Sequence, residues 1–437
     1  MRVEEDVKNV TSYQILQRNP KTNIAYVKLD NDEIHPFGVG GPYTIDNADS
    51  VYVGDIWIMA GQSNMRGHGY YNDGEKLAIL DPTPGVHLYQ SNETWAVAQE
   101  PTHRLSESPR PVHHRIPDPT VRNPAILHVR GASLGLAFAQ SYRKENDNIP
   151  VGLVASAHGG TSSTQWMERD QQNPSNTLYG AMMARIEKVG GNIAGFLWYQ
   201  GETDACSSDP SVYGYNTAQL LTDMLKDMNS HIPIVSVQLG RCVGGSNIQD
   251  ASWNLVRENQ YRSLAPRYTY LETQICAVSS IDTSMDDFVH LSAHGLAKVG
   301  HRLGIAATYA MQGKGYMSSP RMTFAGYEEK NDYNMKRCTI KITFENFEND
   351  PWSPVDEVLG FSIRNSNDDH QELPIILSAR IENECDVRIY LTREALQLRG
   401  SYVLYYGWGK NPSCNLTTKS GMGLLASYVS FAIEHPH

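Results

Sequence analysis

Residues 53–61 read Val-Gly-Asp-Ile-Trp-Ile-Met-Ala-Gly, an apolar run rich in β-formers and long enough for one buried strand. Strand-like runs recur at residues 151–155, 193–199, 232–238 and 268–272. Helical spacing of apolar positions covers residues 134–146, 178–189, 215–229 and 293–311. Continuous apolar strands alternating with helices predict a parallel sheet covered on both faces. The expected architecture over residues 51–312 is therefore a doubly wound α/β domain.

The flanks carry a different pattern. Residues 1–50 show short alternating segments, such as 25–29, broken by Asn, Asp, Gly and Pro. They predict a short N-terminal β-region, too small for a core of its own and leaning on the α/β domain. After Gly313-Lys314-Gly315, alternation returns at residues 338–344, 386–391 and 402–406 with little helical periodicity. Residues 313–437 are accordingly expected to form a β-sandwich-like accessory domain. Residues 67–123, rich in Pro, His and Arg, interrupt the α/β rhythm and are expected to be an irregular wall or lid.

Composition narrows the partners. The chain has 437 residues, 40% hydrophobic and 19% charged, which suits a globular protein with a substantial core. Its net charge of −11 disfavours nucleic acid or an anionic membrane as a main partner. No apolar run approaches the roughly 18 residues of a membrane span. The first residues, Met1 to Asp6, lack the apolar core of a secretory signal, so the expectation is an intracellular protein or one whose leader has been removed. Six cysteines are scattered without a CxxC pair, which excludes a compact zinc ribbon and leaves disulfides open. Asparagine sequons at Asn9, Asn92 and Asn415 carry little weight in a chain this long.

Candidate chemistry starts at Gly61-Gln62-Ser63-Asn64-Met65, where the first apolar strand ends. Ligands of α/β sheets gather at such strand ends, yet a serine there serves equally well as a helix cap. A nucleophilic serine needs a base and an orienting acid. Asp287-Phe288-Val289-His290 offers both on one loop, just before the last helical segment. Two further strand ends, Ala157-His158-Gly159-Gly160-Thr161-Ser162 and Trp198-Tyr199-Gln200-Gly201-Glu202-Thr203-Asp204, carry glycines and an amide that suit an oxyanion site. Each alone is more simply a turn; together they converge on one crevice.

In combination, Gly61 to Met65, His158-Gly-Gly-Thr161, Trp198 to Glu202 and Asp287-x-x-His290 resemble the blocks of the SGNH (GDSL-like) hydrolase superfamily. Within it they are similar to the sialate O-acetylesterase and carbohydrate acetylesterase branch. The likeness extends to Tyr13-Gln-Ile-Leu-Gln-Arg18 and Gly40-Gly-Pro-Tyr-Thr-Ile45 before the domain, and to Tyr406-Gly-Trp-Gly409, Asn411-Pro412 and Cys414-Asn-Leu416 after it. The shortened N-terminal region, residues 67–123 and the run from Arg130 to Gly135 match only loosely, which leaves the pocket's shape open.

The resemblance implies a serine esterase that removes O-acetyl groups from sugars. Ser63 would attack, His290 would act as base and Asp287 would orient it. The oxyanion would sit between the Ser63 and Gly160 N–H groups (Gly159 being the neighbouring candidate) and the Gln200 side chain. Glu202 and Asp204 would shape their loop, and Gln62, Asn64, Arg66 and Glu202 are candidates for substrate contact. No cofactor and no metal is implied, and the partner is an O-acetylated carbohydrate; the oligomeric state is open. Sialic acid, xylan and pectin all stay open as its source, as do esters of other compounds. Arg66, Arg130, Arg169 and Arg241 could bind an anionic sugar or be paired internally.

Other readings differ at named residues. An α/β-hydrolase elbow needs Gly-x-Ser-x-Gly, and Met65 stands where the second glycine belongs. A metal hydrolase could use His290 and His294, four residues apart, with His113-His114 as a further histidine pair, but lacks a placed third ligand. A non-catalytic glycan-binding protein on the same fold is the remaining class.

Overall fold

A computed structural model describes residues 7–71, 81–228, 232–245, 248–262, 275–315, 319–332, 335–345, 350–366 and 371–434. At its centre lies the long strand Ala48–Gly61. The parallel strands Val151–Ala155 and Gly195–Tyr199 pair on either side of its second half. Outward from the latter come Ile234–Gln238 and Ile275–Ser279, also parallel. On the other side Val86–Tyr89 pairs parallel to Val151–Ala155 and turns into the antiparallel strand Trp95–Val97. The chain crosses from one side of Ala48–Gly61 to the other after Val151–Ala155, so a topological switch point lies at its carboxyl end.

Period-two alternation sends Trp57 and Met59 to one face of the sheet, Ile56, Ile58 and Ala60 to the other. The helices Gly135–Glu145 and Ala293–Met311 cover the first face, through Phe138, Tyr142, Val299 and Leu303. Leu178–Lys188 and Val212–Asp227 cover the second, through Met182, Ile186, Leu221 and Met224. Each such buried side chain contributes about 1.5–3 kcal/mol. Among the described residues no helix is long and apolar enough to cross a membrane.

The N-terminal strands Ile15–Gln17 and Gly40–Ile45 pair with the first half of Ala48–Gly61, extending the central sheet. Past Ala293–Met311, the described residues form two four-stranded antiparallel sheets that face each other. Their shared core includes Ile340, Ile342, Ile389, Leu404 and Leu424. This part is bound to the α/β part largely through backbone carbonyls. The buried guanidinium of Arg257 donates to the carbonyls of Leu239 (3.0 Å), Gly240, Gly407 (3.1 Å) and Gly409 (2.6 Å). Gln238 donates to the Ala426 carbonyl and accepts from its N–H, both at 2.8 Å.

Two expectations change. Residues 67–123 are not simply an irregular wall: they supply the hairpin Val86–Tyr89/Trp95–Val97 to the main sheet and several short helices. Strands of four and three residues are too short to announce themselves among prolines and histidines. The strand expected at residues 268–272 lies outside the described residues, among which the outermost parallel strand is Ile275–Ser279.

Candidate active site

Gly61 ends the central strand with φ +132°, and a Cβ there would stand 2.1 Å from the Tyr199 carbonyl oxygen. Only glycine allows the two strand ends to approach so closely. The chain then enters the one-turn helix Ser63–Arg66, whose N-cap is Gln62. Ser63 is thus the first helical residue, not the cap, and its hydroxyl is free for another partner. That partner is His290, whose Nε2 lies 2.9 Å from Ser63 Oγ.

His290 sits on the loop between Ile275–Ser279 and Ala293–Met311, a helix begun by Ser292, whose hydroxyl accepts from the Gly295 N–H. Its Nδ1 lies 2.8 Å and 3.0 Å from the Asp287 carboxylate oxygens. Asp287 Oδ1 also accepts the backbone N–H groups of Val289 (3.0 Å) and His290 (2.8 Å), and Oδ2 accepts from Arg130 (3.2 Å). Burial alone would raise this carboxyl, but the bonds from His290 and from the Val289 N–H outweigh it and hold the group well below the usual range. The acid therefore stays ionised and faces Nδ1.

The neighbouring polar residues are turned inward. Asn64 donates to Glu202 Oε1 (2.6 Å) and to the Val289 carbonyl (3.2 Å), and accepts from the Leu291 N–H (3.0 Å). One side chain thus ties the serine turn, the Gln200–Asp204 loop and the histidine loop together. Gln62 accepts from the N–H groups of Gly201 and Thr203. Arg66 lies 3.5 Å from Asp118 and donates to Thr120 and to His68. Burial raises the Glu202 carboxyl to about 7, against the hydrogen bond from Asn64. Gln62, Asn64, Arg66 and Glu202, expected to meet substrate, are all buried and bonded within the protein, although Glu202 Oε2 and Arg66 Nε have no hydrogen-bond partner among the described residues.

The turn His158 to Thr161 joins the same crevice, since the His158 N–H donates to the Gly61 carbonyl. Gly159 packs so tightly that a Cβ would stand 2.4 Å from Asp118 Oδ2, whereas Gly160 is exposed, with φ +67° and open space around it. Ser63, opening its helix, has an N–H with no intrahelical acceptor. The expected third oxyanion donor departs from this pattern. Gln200 Nε2, with two hydrogens, already has Asp204 at 2.5 Å, the Thr161 carbonyl at 3.0 Å and Gln62 at 3.3 Å. The amide is spent bracing the crevice wall because a buried donor settles on the strongest acceptors in reach.

Arg130 and His68 complete the surroundings. Arg130, expected either to bind an anionic sugar or to be paired internally, lies against Asp287. His68 had no sequence signal beyond a histidine between two glycines just past the serine turn. Arg169 pairs with Asp223 and lies over the Tyr179 ring, and Arg241 donates to Asn411 and the Thr283 carbonyl. Among the described residues, His68, Asp287 and His290 are close enough to share a cation, without His294 or His113. The guanidinium groups of Arg130 and Arg66, bonded to Asp287 and His68, oppose a further positive charge there. A separate cleft of about 1510 Å³, bordered by Trp95, Arg169 and Lys188, contains none of Ser63, Asp287 and His290.

Residues 53–309 match the family described as a carbohydrate esterase, sialic acid-specific acetylesterase. A probable carbohydrate esterase of Arabidopsis thaliana is 29% identical over 271 residues, covering 58% of this chain and 89% of that protein. The crystal structure of a carbohydrate acetylesterase from Xanthomonas citri aligns over 96% of this chain and 98% of its own, with a TM-score of 0.66 at 19% identity, a likeness of fold.

Proposed function

This chain belongs to the carbohydrate esterase family of sialic acid-specific acetylesterases, and on that premise we propose that Ser63, His290 and Asp287 are the catalytic triad with which it removes O-acetyl groups from sugars. The observation carrying this reading is the unbroken chain from Ser63 Oγ to His290 Nε2 (2.9 Å) and from His290 Nδ1 to Asp287 Oδ2 (2.8 Å).

As Ser63 Oγ bonds to the acetyl carbonyl carbon, its proton passes to His290 Nε2, while ionised Asp287 stabilises the imidazolium. The carbonyl oxygen becomes an oxyanion facing the N–H groups of Ser63 and Gly160. Collapse breaks the ester bond, and the His290 proton goes to the departing sugar hydroxyl. Water then attacks the acetyl-serine through the same base and releases acetate. Gln200, Asn64, Gln62 and Glu202 hold the walls in register, and Arg66 fixes the outer side.

Acetate release from a panel of O-acetylated glycans, wild type against Ser63→Ala, tests the assignment. Turnover on at least one glycan, absent in the variant, is the expected result. Equal turnover by both proteins would remove Ser63 from the reaction.

A further inference from the structure

We infer that His68 is a positioning residue for the His290–Asp287 pair, a neutral imidazole shelf against which the His290 cation forms; this rests on the proposed triad. The two rings lie face to face, with centroids 3.8 Å apart and planes 30° from parallel. His68 keeps only 12% side-chain exposure, so the contact is largely shielded from water.

Hydrogen bonding fixes the state of the shelf. Arg66 Nη2 lies 2.8 Å from His68 Nδ1. A guanidinium can only donate, so Nδ1 must present a lone pair and the proton of the neutral ring sits on Nε2. That Nε2 lies 4.0 Å from Asp287 Oδ2, so its proton is on the side of the triad acid. Arg66 is in turn immobilised by Asp118 and Thr120, both buried, with Gly159 packed against the same carboxylate. A proton on Nδ1 would face the Arg66 N–H donor and break that hydrogen bond, so the anchor favours the form with Nδ1 as acceptor.

A neutral π face beside a forming imidazolium attracts it as other aromatic faces attract cations. In the proposed reaction His290 gains that charge as Ser63 attacks, so the contact strengthens on the way to the transition state. It also blocks rotation of the His290 ring away from Ser63. No atom of His68 needs to touch the sugar, which separates its effect from substrate affinity.

The test compares His68→Phe with His68→Leu. Both fill the space and both deprive Arg66 of its acceptor, but only phenylalanine keeps a π face. With p-nitrophenyl acetate, His68→Leu is expected to lower kcat about tenfold with KM nearly unchanged, while His68→Phe keeps most of kcat. The rate of serine modification by phenylmethylsulfonyl fluoride should follow the same order, and thermal unfolding midpoints should match between the two variants. Equal kcat in the two variants, whether fast or slow, would overturn the inference. His290→Ala separates the two claims: if it remains active the triad reading falls, whereas equal His68 variants beside an inactive His290→Ala remove only the shelf.

Discussion

The crevice at the end of Ala48–Gly61 and the junction with the C-terminal sheets are both polar, buried and built from distant segments, yet they are held differently. At the crevice each strut is one side chain: Asn64 alone links the serine turn to two other loops. At the junction the struts are multiple and end on backbone carbonyls: Arg257 alone reaches those of Gly407 and Gly409 across it and those of Leu239 and Gly240 on its own side. Burial depresses the Arg257 guanidinium to about 10, still charged at neutral pH. The crevice is thus built for geometry and the junction for cohesion. Losing a strut should cost rate at the first and stability at the second.

The sharpest break in that contrast comes from Asp287→Asn. It should lower kcat on the order of 10⁴-fold by presenting the wrong tautomer of His290, while the unfolding midpoint stays near wild type; a parallel loss of stability would mean the crevice is structural. Asn64→Ala comes next. Displacing the loops by fractions of an ångström should cost on the order of 10²-fold in kcat, read by steady-state kinetics at one saturating ester. Arg257→Met inverts the pattern. Four carbonyls lose a buried donor, so chemical denaturation should show a loss of about 3 kcal/mol, with kcat of the folded fraction nearly unchanged.

The smallest effect concerns acid. His103, beneath the His158 turn, accepts the Ala157 N–H and is depressed to about 3, chiefly by burial and then by Arg66 and Arg185. Its unfolded form binds a proton near pH 6.5, which the folded form refuses, so stability present above that pH is lost as pH falls. The slope is about 1.4 kcal/mol per pH unit for one such group. Glu100 and Glu202, raised to about 7 by burial, act oppositely: they penalise the fold above their unfolded values and relieve it as pH falls. His103→Gln isolates the histidine. Compared with wild type, unfolding free energies between pH 6 and 4.5 should shift towards greater stability as pH falls, and a slope equal to wild type would mean the ring is not buried neutral.

How much of this was legible in the sequence follows the same divide. Val151–Ala155 stands out because it is buried on both faces, and Ala293–Met311 matches its expected limits because Ser292 caps it. The serine turn and the Asp287–His290 loop are short, local arrangements, so their motifs read directly. The hairpin after residue 85 hides in a tract of prolines and histidines, and the role of Asn64 exists only once three loops meet. Gln200 illustrates the limit: its amide is at the right strand end, but Asp204 four residues on is the stronger acceptor. Arg257 is invisible in principle, since its partners are carbonyls that every residue possesses.

The most direct measurement is covalent labelling of the native protein with a fluorophosphonate, with mass spectrometry of the modified peptide. The account predicts a single adduct on Ser63, formed far more slowly in His290→Ala. An adduct on another serine, or an active esterase that resists labelling, would contradict it.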